Sequence, residues 1–585
     1  MSSDVTTRGQ RWWLLAVTLF AFLFLLGSRS LNEPDEGRYA EVAREMLETG
    51  DWLVPHLWYA PHLDKPPMAY WAVAASMRLW GYSEWAVRAP VALAGLSGVL
   101  AAYLLASRLG GPRAGLWSAL ILQTSMLYFV MARMLTCDIF LTQFVAWAIY
   151  FGWRGWEAFR DTAEGPPAAR ALAGRRFLGW QSAAWAAMAL GFLTKGPVAL
   201  AIPLATGAAL VLFRRRLAGR WGLMWLGTGF GLAIFSLMVM PWFILASHRM
   251  PQLLDYMVID QALGHTLGTT IKNRQGSPLY FVVILAVGFL PWTPLLGWLW
   301  RPTHWRSLSQ AQKDGWLMLS VWASFTFVLF SLTKAKLPAY ILPIFPALAV
   351  LVAWRWSGAA TSASRAGSGR IDPAEWVWRA VLISPLLLSA AMTLAVRFLF
   401  KVMDEAWVWP FFGVAVAGLV ILLIWSRGWD RARCMRAAVV IGLANLLSVA
   451  ALVPTVETRL KSNQTLKPLA AMLRVEYRPG DTVVCWGFFP QGLPFYLYPT
   501  VDSAHPLLFG GIPFHVVPFE FPGNRERFGK RVVPDEAALV RLLQGHARVL
   551  VVGFEGTFRQ IESQIKPTPL RWFGAVGRWE FFANR

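Results

Sequence analysis

The chain has 585 residues, 56% of them hydrophobic, with 33 tryptophans and only 15% charged residues. That balance excludes an ordinary soluble domain and points to a polytopic membrane protein. A formal charge of +22 would suggest nucleic acid in a soluble chain, but here the basic residues fall mainly in short links between apolar runs, which is how membrane topology is written.

Apolar runs long enough to cross a bilayer, roughly 17–25 residues each, begin near Trp12, Trp85, Ala114, Ile139, Phe177, Val198, Gly222, Pro278, Gly315, Pro338, Val377, Ala406 and Ala437. The expectation is a mostly α polytopic fold of about thirteen transmembrane helices. Arg8 and Arg11 precede the first run and no small-residue cleavage site follows it, so it reads as a retained helix, not a signal peptide. With the N-terminus in the cytoplasm, Arg108/Arg113, Arg160/Arg175/Arg176, Arg214–Arg216 with Arg220, Arg301/Arg306/Lys313, Arg365/Arg370 and Arg427/Arg431/Arg433/Arg436 all lie inside. The domain at 1–454 then spans the membrane, its loops 29–82 and 247–276 face outward, and 455–585 forms an outer domain. Cys137, Cys434 and Cys485 are too few for a disulfide framework.

The first outer loop opens with Asn32-Glu33-Pro34-Asp35-Glu36-Gly37-Arg38-Tyr39. Pro34 suits the start of a helix, Asp35 and Glu36 suit its first turn, and Gly50 suits its stop. Asp35, Arg38 and Tyr39 share one side at i, i+3 and i+4. The apolar stripe Tyr39, Val42, Ala43, Met46 and Leu47 predicts an amphipathic helix lying flat on the outer membrane surface. Asp64-Lys65-Pro66-Pro67 then repeats a paired acid and base before a proline-initiated helix. Ser83-Glu84 followed by Arg88 reads as a cap with a helix-face ion pair. Asp138, at the start of the fourth run, reads as a cap or a partner for Arg133.

Arg38, Lys65, Arg133, Lys195, Lys272, Arg274, Lys334 and Lys336 all fall in outer links or at outer helix ends, where topology gives no reason for them. Individually each can snorkel to headgroups. As a set they predict an anionic ligand, with phosphate the commonest candidate. Lys334-Ala335-Lys336-Leu337-Pro338-Ala339-Tyr340 adds a phenol to two cations, and His265 sits alone in the second outer loop. In 455–585, the runs Thr482–Trp486 and Arg548–Val552 flank a helical pattern at Asp535–Leu543, which predicts a small α/β domain. No G-x-G-x-x-G follows a strand there, no P-loop supports a transport ATPase, and no H-E-x-x-H or C-x-x-C suggests a metal. The carboxylates leave room only for a weakly held divalent ion.

The segments N-E-P-D-E-G-R-Y-A-E-V-A-R-E-M at 32–46, H-L-D-K-P-P-M-A-Y-W at 62–71, S-E-W-A-V-R at 83–88, L-T-K-G-P at 193–197, K-L-P-A-Y-I-L-P at 336–343 and Q-G-L-P-F-Y-L at 491–497 together resemble the aminoarabinose lipid A transferases of the protein O-mannosyltransferase superfamily. The resemblance implies a GT-C fold in the bacterial inner membrane and a periplasmic active site. It also implies an undecaprenyl-phosphate sugar donor, lipid A as acceptor, inversion at the anomeric carbon and no required cofactor. Asp35 matches the family's first-loop catalytic aspartate, with Arg38 and Tyr39 completing that motif. Asp64-Lys65 matches the acid–lysine pair near the donor phosphate, and Lys336 with Tyr340 matches K-L-P-x-Y beside the cavity. Two departures stand out: the acid before the lysine is often Glu in the family, and this chain offers Asp260-Gln261, with His265 following, where the family often has Glu-His.

The implied reaction suits these residues. The phosphate leaves the anomeric carbon with growing negative charge, and cations preorganised there lower the barrier. Asp35 either takes a proton from an acceptor hydroxyl or orients the acceptor. A secondary transporter or flippase would instead place ionisable groups midway along helices, and those centres are nearly charge-free.

Overall fold

A computed structural model describes residues 3–163, 166–213, 221–263, 276–299, 308–363, 465–500, 507–511, 521–565, 569–576 and 578–585, with isolated positions between 383 and 443. The described chain is mostly helical. Helices Ser3–Leu23, Glu84–Gly110, Cys137–Asp161, Pro167–Lys195, Val198–Phe213, Trp221–Arg249, Gln310–Leu332 and Phe345–Ala363 each coincide with an expected apolar run. Among the described residues, Glu84–Gly110, Trp221–Arg249, Gln310–Leu332 and Pro338–Ser357 are long and apolar enough to cross a bilayer. The runs expected from Val377, Ala406 and Ala437 lie almost wholly outside the described residues, as do Lys272, Arg274 and His265.

Two expected runs are broken. The one from Ala114 splits into Pro112–Thr124 and Met126–Met131, and the one from Pro278 into Tyr280–Gly288 and Thr293–Leu299. Ser125 adopts an extended backbone at the first break, and its hydroxyl donates to Ile121 O at 2.7 Å. Pro291 lies at the second and contributes no N–H. Each break answers the other, because the Met126 N–H donates to Leu290 O at 3.0 Å. Irregular backbone is tolerated at membrane depth where protein satisfies it in this way.

The chain divides into two compact units. One comprises Met1–Phe24, Val91–Ile244 and Asp260–Ala451; the other comprises Leu25–Pro90, Leu245–Ile259 and Leu452–Arg585. The first is a helical body whose interior holds Tyr128, Trp292, Trp322 and Phe345. In the second, a six-stranded sheet runs in the order Val532–Val533, Leu508–Gly510, Thr482–Trp486, Val549–Phe554, Trp579–Ala583 and Arg571–Val576. The first four strands are parallel and the last two antiparallel to their neighbours. Helix Glu536–Gln544 packs its Leu539 and Leu543 on Val484 and Val551, and Asp535 caps it by accepting from Ala538 N at 2.7 Å.

Helix Asp35–Thr49 begins after Pro34 and ends at Gly50, whose φ of 70° lets its N–H reach Met46 O. It does not lie flat on a membrane surface. Glu36, Gly37 and Tyr39–Met46 are all buried within the second unit. Its polar side is held inside the protein: Arg44 bonds Glu41 through Nε at 2.8 Å and Nη2 at 2.7 Å and also pairs with Glu48, while Glu45 accepts from the Tyr59 N–H at 2.8 Å and burial pushes its carboxyl up, toward the neutral form. Paired acids, and a carboxyl shifted toward its neutral form, can be buried where a lone charge cannot.

Candidate active site

Two charged clusters emerge, one in each unit. In the second unit, the first turn of helix Asp35–Thr49 puts Arg38 Nη2 2.6 Å from Asp35 Oδ1. Asp35 is 39% exposed and Arg38 14%, so the carboxylate is the accessible partner. Asp64 also lies within electrostatic reach of Arg38, which therefore stands between two acids. Lys65 precedes the helix Met68–Trp80, and its ammonium donates to the Asp64 main-chain oxygen at 2.8 Å. Tyr39 and Tyr70 pack ring to ring with centroids 5.0 Å apart beside Arg38.

Burial alone would raise the Asp64 carboxyl, but His62, Lys65 and Arg38, with a 2.7 Å hydrogen bond from the Tyr256 hydroxyl, hold it well below the usual carboxylate range. His62 behaves oppositely. Burial pushes its imidazole down to about 4, Arg38 and Lys65 add to the shift, and Asp64 opposes it. At neutral pH the cluster therefore holds an ionised Asp64 and a neutral His62. Its Nε2 stands 3.8 Å from Asp64 Oδ2, beyond hydrogen-bond range.

In the first unit, Lys195 ends helix Pro167–Lys195 and Asp138 occupies the first turn of Cys137–Asp161, and the two form an ion pair. The Lys195 ammonium also lies 4.1 Å from the centre of the Tyr340 ring. Asp138 thus pairs with Lys195 and not with Arg133. Arg133 instead donates to Ala21 O at 3.0 Å and Phe22 O at 2.9 Å, capping the end of helix Ser3–Leu23. Lys336 does the same for helix Gln310–Leu332, donating to Phe330 O, Ser331 O and Thr333 O at 3.3, 2.8 and 2.6 Å. Those contacts use all three ammonium protons. Lys334 is exposed.

Residues read from the sequence only as caps or helix-face pairs also carry this architecture. Glu36 is flanked by Arg88 and Arg29: Arg88 reaches both carboxylate oxygens at 2.9 Å, and Arg29 sits 2.6 Å away. Arg88 therefore pairs with Glu36 and not with Glu84, whose carboxylate meets Lys467 at 2.6 Å. Burial would raise the Glu36 carboxyl, yet Arg88 and Arg29 bring it to about 2. Glu36 and Arg88 did lie inside the quoted motifs. His62 likewise begins the quoted motif at 62–71, whereas nothing local in the sequence pointed to Tyr256. Among the described residues, no group of three His, Cys, Asp or Glu side chains is placed to hold a metal ion.

The family model for dolichyl-phosphate-mannose-protein mannosyltransferases matches residues 64–165. An undecaprenyl phosphate-α-4-amino-4-deoxy-L-arabinose arabinosyl transferase from Edwardsiella ictaluri is 34% identical over 349 residues, 58% of each chain. The Serratia proteamaculans transferase of the same name is 30% identical over 347 residues. The match thus spans under two thirds of the curated relatives' length. Structurally, the likeness extends further. The crystal structure of ArnT from Cupriavidus metallidurans bound to undecaprenyl phosphate superposes with a TM-score of 0.77 at 27% identity, covering 99% of this chain and 98% of that one.

The chain is a homologue of these aminoarabinose transferases.

Its helical body is of the GT-C type, and it is a membrane protein. The apo ArnT structure matches at the same TM-score of 0.77. The 64–165 match contains Asp64, Lys65, Arg133 and Asp138, so it reaches into both charged clusters.

Proposed function

We propose that this chain is an inverting membrane glycosyltransferase that moves 4-amino-4-deoxy-L-arabinose from undecaprenyl phosphate to lipid A on the periplasmic face of the inner membrane. The observation that carries the reading is the near full-length likeness to a transferase crystallised with undecaprenyl phosphate, at a TM-score of 0.77. The thirteen-helix count, the boundary between 1–454 and 455–585, and the outward orientation of 29–82 and 247–276 belong to the same proposal, supported by the loop charges.

In this reading, the acceptor oxygen attacks the anomeric carbon, the carbon–oxygen bond to phosphate breaks, and the phosphate leaves with the bonding electrons. Lys65 and Arg38 stabilise that leaving group, with Lys195, Tyr340, Lys336, Lys334, Arg133 and His265 as further donor-side residues. Each described cation of the two clusters except Lys334 already has an acid or carbonyl partner. Each cluster is therefore preorganised, and an arriving phosphate shares its donors instead of gathering loose side chains. Asp35, the more exposed of its pair, faces the acceptor. It accepts the proton of a hydroxyl acceptor; for an anionic phosphate acceptor there is no proton to take, and Asp35 orients it through Arg38. Asp64, kept ionised, holds Lys65 and Arg38 in register. Asp138 does the same for Lys195. The reaction needs no cofactor, and the carboxylates would bind a divalent ion only weakly.

Transfer of another polyprenyl-phosphate sugar, such as mannose, galacturonate or arabinose, to a glycan or protein is the second reading, favoured by the mannosyltransferase model that matches 64–165. The test is transfer from a panel of radiolabelled undecaprenyl-phosphate sugars to lipid A by purified protein, with Asp35→Asn and Lys65→Ala alongside. Each variant is expected to lose on the order of 100–1000-fold in kcat. No transfer from any donor would sink the enzyme reading, and full activity in both variants would sink these assignments.

A further inference from the structure

Residues Leu31–Gly37 lead into the turn that carries Asp35 and Arg38, and within the second unit the segment 491–497 grips them at three points. The Gly492 N–H donates to Glu33 Oε1 at 2.9 Å. The Leu31 N–H donates to the Tyr496 hydroxyl at 2.7 Å. Between these, Gly37 and Gly492 meet backbone to backbone. A Cβ on Gly492 would stand 2.5 Å from Gly37 Cα, and one on Gly37 would stand 2.9 Å from Gly492 Cα. Gly492 has φ −100°, which any residue adopts, so only this close approach demands glycine there. Gly37 sits between Asp35 and Arg38, so a shift at Gly37 moves both.

We propose that Glu33 and Gly492 form a lock by which the C-terminal segment positions Asp35 and Arg38 for transfer. The proposal rests on the transferase reading above and makes Glu33 a positioning residue, since it touches the loop and not the reacting atoms. Two neighbours explain why an acid sits in the lock. Glu33 accepts the amide of Gly492, and it lies near enough to Arg38 to feel its charge. Burial pushes the Glu33 carboxyl up to about 8; the Gly492 amide, Arg38 and the Gln491 amide oppose that shift, and Glu41 adds to it. The charged groups acting most strongly on Glu33 are Arg38 and Glu41 of the helix that follows it, and the segment 491–497 brings the Gly492 and Gln491 amides to it, with the titratable Tyr496 held at Leu31. The acid is therefore neutral at pH 7. Because its folded value is raised from an ordinary 4.5, the protonated lock contributes its full stability below about pH 4.5, and that contribution is lost as pH rises to about 8, where Glu33 ionises in the folded chain.

The experiment compares wild type, Gly492→Ala, Glu33→Gln and Glu33→Ala in sugar transfer across pH 6.5–9, together with amide hydrogen exchange over residues 31–49. Gly492→Ala should lower kcat on the order of 100-fold while leaving the donor KM unchanged, and should speed exchange at Leu31–Arg38. Glu33→Gln, which keeps shape and acceptor but cannot ionise, should retain activity at pH 7 and lose the alkaline decline. Glu33→Ala should resemble Gly492→Ala. Wild-type kcat and exchange in Gly492→Ala, or an unchanged alkaline limb in Glu33→Gln, would overturn the lock. If wild type transfers no sugar at all, the transferase reading fails, and unchanged exchange in Gly492→Ala then decides separately against the lock.

Discussion

Removing Arg88 tests the arrangement at its most buried point. Arg88 and Glu36 are both fully buried, and besides the two contacts to Glu36 the guanidinium satisfies Leu26 O, Arg29 O and Ser30 O at 3.2, 2.7 and 2.7 Å. Arg88→Met takes one of two guanidinium partners from the Glu36 carboxylate, leaving Arg29 and the Asn32 amide, and strands those carbonyls. Glu36→Gln removes the charge from the other side. The carboxyl of Glu36 falls from an ordinary 4.5 to about 2, a differential stabilisation of about 3 kcal/mol, in line with the roughly 3–5 kcal/mol lost when a buried pair is broken. That corresponds to a drop of roughly 2–4 °C in melting temperature if the chain unfolds as one unit, read by thermal unfolding of the detergent-purified protein at pH 7. The sign of the pH dependence follows from the depressed value. The stabilisation is complete above about pH 4.5 and disappears as pH falls toward 2. The gap between wild type and Glu36→Gln should therefore close on acidification through that window. Equal melting at pH 7, or a gap that stays constant down to pH 3, would refute the reasoning.

Tyr256→Phe removes a hydrogen bond to the charged Asp64, worth at least about 1.5 kcal/mol. A tenfold loss in kcat/KM with unaltered folding is expected, and an unaffected rate would remove Tyr256 from the site. Lys195→Met strands the buried Asp138 and should cost roughly 3–5 kcal/mol. Adding Asp138→Leu should restore the melting temperature without restoring transfer, which separates the pair's structural part from its chemical one. Lys336→Met frees three carbonyls at the end of helix Gln310–Leu332 and should lower stability by about 1–2 kcal/mol. If it abolishes transfer while melting like wild type, Lys336 is a substrate contact and not a cap.

Much of the local architecture was legible in the residues. Pro34, the acids after it and Gly50 delimit helix Asp35–Thr49 because capping and the αL stop are decided within one turn. The strand Thr482–Trp486 and the helix after Asp535 emerged where their periodicity indicated. The breaks at Ser125 and Pro291 were not legible, since a continuous apolar run looks the same whether or not a partner loop satisfies the freed amides. The surface placement of helix Asp35–Thr49 failed for a related reason. A stripe of apolar residues assumes that the opposite face needs water, and here that face lies inside the protein, with Arg44 paired to Glu41 and Glu48 and Glu45 hydrogen-bonded to the Tyr59 amide.

By itself, the sequence determined which short segments start and stop helices, because helix periodicity and caps act over four residues or fewer. Only the tertiary structure decided the pairings. Arg88 meets Glu36 across 52 positions, Lys195 meets Asp138 across 57, Tyr256 meets Asp64 across 192, and Gly492 meets Glu33 across 459. A buried charge must find an opposite charge or a carbonyl wherever the fold brings one near, and no local spacing encodes which it will be. Arg133 and Lys336 mark the limit of the sequence reading: the same cation that signals an anionic ligand in a linear motif closes a helix once the chain is folded.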